Sequence, residues 1–296
     1  MRLAGGAEQH HRQHRAHPRQ PQDGVDVLAS SLRAIKRSLA SDYSGAQIVE
    51  AVPAEPSPEF PVPEQDLLML HKFASANPIY SDSHESVLAG IKCTTYEGNI
   101  NRYWLGSILH ASSRAPFSPT WISSAYVMAR LALQLGYRQA VDVGSGDGRI
   151  AFCAALLGMD AYSIEIDHDL AALQEPLARI AGFAPYCGDA ATFDYDALGL
   201  ARPAVFIGGL AQMGGAELAG VIMRSLAGTS CAAAASTGWV LAGTMSPKYA
   251  PHPRGMYGWG GLIHDGGLAH IRTVELPTAW TLGQEDDTPY VFAGAS

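Results

Sequence analysis

The sequence predicts an α/β domain with a mainly parallel sheet, preceded by a helical N-terminal extension. Three observations predict it. From Phe117 onward, helical runs alternate with short apolar runs, the pattern of strands joined by crossover helices. Within that stretch, AVDVGSGDGRIAF (140–152) carries an apolar strand through a glycine turn directly into a helix. The composition, 47% hydrophobic and 16% charged over 296 residues, supplies enough apolar side chain for a sizeable core.

Residues 1–24 have almost no large apolar residues and read as a disordered tail; His10, His11, His14 and His17 there offer only adventitious metal ligands. A helical and irregular extension follows over 25–115. Val25, Leu28, Leu32, Ile35 and Leu39 recur at three- and four-residue spacing, so they share one helix face, with Arg33, Lys36 and Arg37 off it. That face suits packing on its own domain better than a partner or membrane surface. Five prolines between 53 and 63 make 52–64 an extended spacer. A second helix is expected from Gln65 to Ala76, and short helices and loops from Asn77 to Pro116. The α/β domain is expected over 116–296. Its strands are Gln139–Val143, Asp160–Glu165, Ala184–Cys187, Pro203–Ile207, Gly238–Ala242, Leu268–Glu275 and Pro289–Ala293, with helices starting near Thr120, Asp147, Asp169 and Gly215.

The net charge of -8 carries no global signature for nucleic acid. Cys93, Cys153, Cys187 and Cys231 are far apart with no CxxC pair, which argues against a zinc site or a disulfide framework and for a reduced, cytoplasmic protein. The uncharged stretch 225–247 is mostly Ala, Gly, Ser and Thr, which give little insertion energy, so it reads as a helix end, a loop and a buried strand rather than a membrane span.

The glycine turn carries the chemistry. Gly144, Gly146 and Gly148 let the backbone pass close to a ligand, at a helix N-terminus with free N–H groups. Dinucleotide enzymes place a pyrophosphate on such an end, through G-x-G-x-x-G. Here the spacing is G-x-G-x-G, and Arg149 stands where the third glycine would be. The turn is also acidic, with Asp142 before it and Asp147 inside it beside Ser145, which suits a ligand bearing an ammonium and a sulfonium. Glu165, with Ile166 beside it, ends the next strand and can accept from both ribose hydroxyls; NAD enzymes share this feature. Asp189 and Ala190 follow the third strand and suit an adenine amino group and ring. Gly208, Gly209, Gly214 and Gly215 in IGGLAQMGG form either a close-approach loop beside the ligand or a tight helix–sheet packing turn.

The run Asp142–Gly148, with Glu165 and Asp189, resembles the class I S-adenosylmethionine-dependent methyltransferases, clearly over about 117–194. PFSPTWISSAYVMARLA ahead of VDVGSGDGRI and SIEID is also similar to small archaeal and bacterial protein-lysine methyltransferases. The resemblance implies a Rossmann-like, mostly parallel seven-stranded sheet with helices on both faces. It implies S-adenosylmethionine as cofactor, a protein or small-molecule methyl acceptor, and a Thr120 that helps hold the methionine part. The chain departs from it after the fourth strand, where the Asn/Asp-Pro-Pro-Tyr/Phe motif of many amino-group methyltransferases is missing.

Methyl transfer works largely through proximity, so a catalytic residue need not stand out, and none does. Tyr96, Tyr103, Trp104, Phe117 and Gln212 are candidates for an acceptor pocket, or else they pack the extension onto the sheet. His84 and Glu85 are either an acid/base pair or a solvated loop. Trp280 is expected between the last two strands, and Glu285–Asp287 in a solvated turn. Two other readings stand beside the methyltransferase: a non-catalytic cofactor-binding protein, and an NAD-dependent oxidoreductase.

Overall fold

The helix foreseen at 25–39 is α1 (Gln22–Asp42), and its apolar face is buried as the spacing requires. A computed structural model of the chain describes residues 22–42, 48–99, 103, 117–228, 236–243, 258–278 and 287–295. The four tail histidines, Trp104, Cys231, Trp280, Glu285 and Asp286 lie outside these residues, as does most of the 1–24 segment. Val25, Leu28, Leu32, Ile35 and Leu39 are each 5% exposed or less, which is worth about 1.5–3 kcal/mol per side chain before the entropy cost of ordering. Three charged residues of α1 are paired within the chain. Arg33 reaches Glu275 at 2.8 Å, Lys36 reaches Asp287 at 3.2 Å, and Asp26 pairs with Arg272.

The extension then departs from expectation. Where irregular structure was expected, β1 (Ile48–Pro53), β2 (Tyr80–Leu88) and β3 (Ile91–Gly98) form a three-stranded antiparallel sheet in the order β1-β3-β2. The signal was weak because β2, at the edge, shows mostly exposed residues, so it has little apolar alternation to detect. The β2–β3 turn uses Ala89 and Gly90, both at positive φ (50° and 80°), the geometry of a tight two-residue hairpin without the usual Asn-Gly signature. The proline-rich 52–64 segment is no free spacer either. Val52 and Pro53 belong to β1, Phe60 and Val62 are buried, and Glu64 opens α2 (Glu64–Ala76). The prolines keep this strap extended, and Phe60 and Val62 dock it.

The second half follows the expected order closely. It runs α3 (Ile122–Gln134), β4 (Gln139–Val143), α4 (Arg149–Leu156), β5 (Asp160–Glu165), α5 (His168–Ala181), β6 (Ala184–Cys187) and β7 (Pro203–Ile207). Then come α6 (Gly215–Gly228), β8 (Gly238–Ala242), α7 (Gly260–Asp265), β9 (Leu268–Leu276) and β10 (Thr288–Ala295). The seven-stranded sheet has the order β6-β5-β4-β7-β8-β10-β9. β4 to β8 pair in parallel and β10 runs antiparallel to both β8 and β9. β4 and β7 are buried at every position, as strands covered on both faces must be. α5 is bounded by Asp167, whose carboxylate accepts from the N–H groups of Asp169 and Leu170, and by Gly182 in the left-handed conformation (φ 87°).

One face of the sheet packs on α3, α1 and the extension in a continuous core that includes Leu32, Phe60, Phe73, Trp121, Phe206 and Phe292. The other packs on α6 and α7 around Val205, Trp239, Leu241 and Trp259. The extension therefore shares its core with the α/β domain. The uncharged 225–247 stretch ends α6 and supplies β8, and no helix among the described residues is long and apolar enough to cross a membrane.

Candidate functional site

Strand order reverses beside β4: β5 and β6 lie on one side and β7 on the other. In open α/β sheets the crevice at such a switch, outside the carboxyl ends of the strands, is where ligands bind. A cavity of about 650 Å³ occupies that place, well within the range of small-molecule sites.

The glycine turn forms its floor. Gly144, Gly146 and Gly148 have φ of 64°, 58° and 78°, values that L side chains rarely adopt. At Gly146 a second constraint applies, since a Cβ there would fall 2.5 Å from Cε2 of Phe117, whose ring leans on the turn. The turn is braced from behind by α5. Gln174 Nε2 donates to Ser145 Oγ (2.9 Å) and to the Gly146 carbonyl (2.6 Å), while its own Oε1 accepts from Ser163 Oγ (2.5 Å). The Ser145 hydroxyl thus faces the protein.

Glu165, at the end of β5, bonds the turn directly. Its Oε2 accepts from the Gly146 N–H (2.7 Å) and its Oε1 from the Asp167 N–H (2.9 Å). Burial raises its pKa, and these two backbone hydrogen bonds offset part of the rise. Asp142, 1% exposed, has its carboxyl pushed up to about 8, first by burial and then by the neighbouring Asp147 and Glu165 carboxylates. Asp189 is exposed on the rim, its Oδ1 accepting from the Ala191 N–H (2.9 Å), and Ala190 is buried beside it. Gly208 faces Gly144 across the mouth, where a Cβ would meet the Gly144 carbonyl at 3.1 Å. Gly215 is a packing glycine instead, since its Cβ would fall 2.5 Å from the Gly209 carbonyl. Gly208 thus borders the cavity, and Gly215 packs against the backbone of its own loop.

Asp147 differs from the rest of the expected set. It is fully buried, and both carboxylate oxygens are engaged: Oδ1 with Arg149 Nε (2.9 Å), Oδ2 with Arg149 Nη2 (2.5 Å) and Asn77 Nδ2 (2.8 Å). Arg149, standing where the dinucleotide motif has glycine, turns its guanidinium toward the extension. It donates to the Thr120 carbonyl, approaches Glu50 Oε1 at 3.5 Å and lies 5.5 Å over the Phe73 ring.

The acceptor-pocket candidates divide. Phe117 lines the cavity. Tyr96 does not: it sits on β3 with its hydroxyl 2.8 Å from His71 Nδ1, because the unforeseen sheet carries it away. Tyr103 is half-buried, edge-on to Phe117 at 6.5 Å, and is not part of the lining. Gln212 falls in the short 3-10 turn Ala211–Met213. His84 lies on β2 and approaches Glu97 at 3.6 Å rather than Glu85, its neighbour on the same strand. The far wall is made by hydroxyls that sequence reasoning missed: Thr278, Thr288 and Tyr290, joined by the foreseen Thr120. Thr120 Oγ1 donates to the Pro277 carbonyl (3.1 Å), and burial pushes the Tyr290 phenol up to about 12. Nothing local marks these threonines, which meet because the β9–β10 hairpin closes on α3.

This arrangement defines a Rossmann-like α/β domain with a cofactor-sized cavity at its switch point. No family model and no curated protein matches the chain. Among solved structures it is similar to the magnesium protoporphyrin IX methyltransferase of Synechocystis PCC 6803 with bound S-adenosylhomocysteine, at 11% identity over 59% of this chain and 83% of that one, TM-score 0.40. It is also similar to a TehB-like methyltransferase from Corynebacterium glutamicum (19% identity, 57% and 86% of the two chains, TM-score 0.38). A third is the CcbJ methyltransferase from Streptomyces caelestis (14%, 58% and 90%, TM-score 0.41).

Proposed function

We propose that this protein is an S-adenosylmethionine-dependent methyltransferase acting on a protein side chain or a small molecule. One observation carries the reading: the Gly146 N–H, which a bound diphosphate would use, is already taken by the Glu165 carboxylate at 2.7 Å. A diphosphate would meet a buried anion there, whereas an adenosine ligand would meet acceptor oxygens with lone pairs to spare.

The residues fit that ligand in order along the strand ends. Glu165 accepts from the ribose hydroxyls, Asp189 from the adenine amino group, and Ala190 and Ile166 cover the ring. Asp142 faces the cationic end, and Thr120 holds the methionine part. The cofactor supplies an electrophilic methyl carbon on a sulfonium. The chain's contribution is placement: the hydroxyl-lined far wall of Thr120, Thr278, Thr288 and Tyr290 orients the acceptor and excludes water, and proximity supplies much of the rate. A Tyr290 phenol with a pKa of about 12 keeps its proton at neutral pH and acts as a hydrogen-bond donor, not a base.

Titration calorimetry of the full chain with S-adenosylmethionine and with NAD tests the reading. The first is expected to bind and the second not; the reverse overturns the reading. Glu165→Gln is expected to weaken S-adenosylmethionine about 100-fold with the fold retained, since it removes a charged acceptor from the ribose hydroxyls. Incubation with methyl-labelled cofactor and host lysate is expected to give labelled product. Cofactor binding without any labelled product makes the protein a non-catalytic cofactor-binding protein.

A further inference from the structure

Arg149 is the one cation among the described residues lining the cavity. It holds its charge: burial works against the guanidinium, but Asp147, Tyr80 and Glu50 outweigh it and drive the pKa well above the ordinary value. An uncompensated guanidinium behind the cavity wall would repel a sulfonium and attract phosphates. Two carboxylates cancel it. Asp147 belongs to the glycine turn itself. Glu50 comes from β1 of the extension and is fully buried. Its Oε1 lies 3.5 Å from Arg149 and accepts from the Tyr80 hydroxyl; its Oε2 accepts from the Ile122 N–H at 2.5 Å, at the start of α3. Glu50 is therefore aimed at Arg149 by groups that have no part in the cavity.

We propose that Glu50 sets the charge preference of the site: by over-neutralising Arg149 from behind, a residue of the N-terminal sheet makes the cavity favour a positively charged cofactor over a neutral one of the same shape. This rests on the S-adenosylmethionine reading above. Glu50 touches no ligand; it acts through Arg149 as a specificity-determining positioning residue. Burial raises the Glu50 pKa, and the Arg149 charge, the Tyr80 hydroxyl and the Ile122 N–H work against that rise; with Glu50 and Asp147 both ionised the cluster of three side chains carries one net negative charge, and without Glu50 it carries none.

S-adenosylmethionine and S-adenosylhomocysteine measure this directly, because they differ by one methyl group and one positive charge. In titration calorimetry of the full chain, Glu50→Gln is expected to weaken S-adenosylmethionine about tenfold more than S-adenosylhomocysteine, the scale of a unit charge acting across roughly 10 Å of protein. Tyr80→Phe, which loosens the same cluster without changing its charge, is expected to leave the ratio of the two affinities at the wild-type value. If Glu50→Gln does not fold, Asp147→Asn removes the other countercharge and must shift the ratio in the same direction. Equal weakening of both ligands, or a ratio that Tyr80→Phe moves as far, overturns the inference. A wild-type chain that binds neither ligand overturns the cofactor reading instead.

Discussion

The glycine turn between β4 and α4 has two sides that treat buried carboxylates in opposite ways. Behind it, Glu50 and Asp147 share the Arg149 guanidinium, with Asn77, Tyr80 and the Ile122 N–H satisfying the remaining oxygens. In front, neither Asp142 nor Glu165 forms an ion pair among the described residues: they accept from backbone N–H groups, and Arg149 acts on Asp142 only as a weaker charge behind burial. Ion pairs so well bonded hold their geometry without a ligand and act on the cavity only through their net charge. Carboxylates left without a countercharge at a cavity are a standing cost that a cationic ligand can relieve, so unequal compensation separates framework from binding site.

The largest effect should come from breaking the rear cluster. Arg149→Met removes the one cation that, among the described residues, pairs with two buried carboxylates and is expected to destabilise the protein by about 4 kcal/mol or more, a large part of an ordinary domain's stability. Denaturant unfolding reads this directly; a loss below about 1 kcal/mol would mean the cluster is solvated and the contrast between the two sides is false.

The front of the turn should respond with the opposite sign. Asp142 has a folded-state pKa of about 8, raised from about 4 in an unfolded chain. Its contribution to stability is therefore complete below pH 4 and is lost progressively as pH rises through 8. Asp142→Asn never ionises, so at pH 8 the ligand-free variant should be more stable than wild type by about 1–3 kcal/mol, a melting point several degrees higher. At pH 4 the two should melt together. In the wild type a bound cation holds Asp142 ionised, so S-adenosylmethionine binding near pH 7 should release about one proton, seen as a dependence of the calorimetric heat on buffer ionisation enthalpy. A variant no more stable than wild type at pH 8 would place the Asp142 carboxyl in water.

The same contrast explains what could be read from the sequence. The front of the turn was legible because every part of it is local: Asp142 to Gly148 are contiguous, and Glu165 and Asp189 end the next two strands. The strands buried at every position, β4, β7 and β8, announce themselves as apolar runs, and β5 and the more exposed β6 follow from the alternation with helices, so all five fall on their expected residues. The rear was not legible, because Glu50 and Tyr80 reach Arg149, and Asn77 reaches Asp147, across 69 to 99 residues of chain, a separation no spacing rule covers. Their sheet was hidden too, by the exposed polar face of β2. One local sign did exist. An arginine at position 149, in the first turn of a buried helix, has to find carboxylates, and the glycine turn supplies only one that it can grip.

The smallest effect isolates burial from pairing. Lys92 on β3 and Glu55 in the strap approach to 3.4 Å, at the same small sheet that carries Glu50, yet their side chains are 72% and 63% exposed. Water screens both charges, and holding two long side chains together costs entropy that the weak attraction barely offsets. Lys92→Ala is therefore expected to change stability by less than about 0.5 kcal/mol, with no change in cofactor affinity. The backbone link beside it, the Ala54 N–H donating to the Lys92 carbonyl at 2.9 Å, survives the substitution. A loss comparable to that of Arg149→Met would show that the strap is held by its charges rather than by buried Phe60 and Val62, and burial would no longer explain why one carboxylate of this sheet matters and another does not.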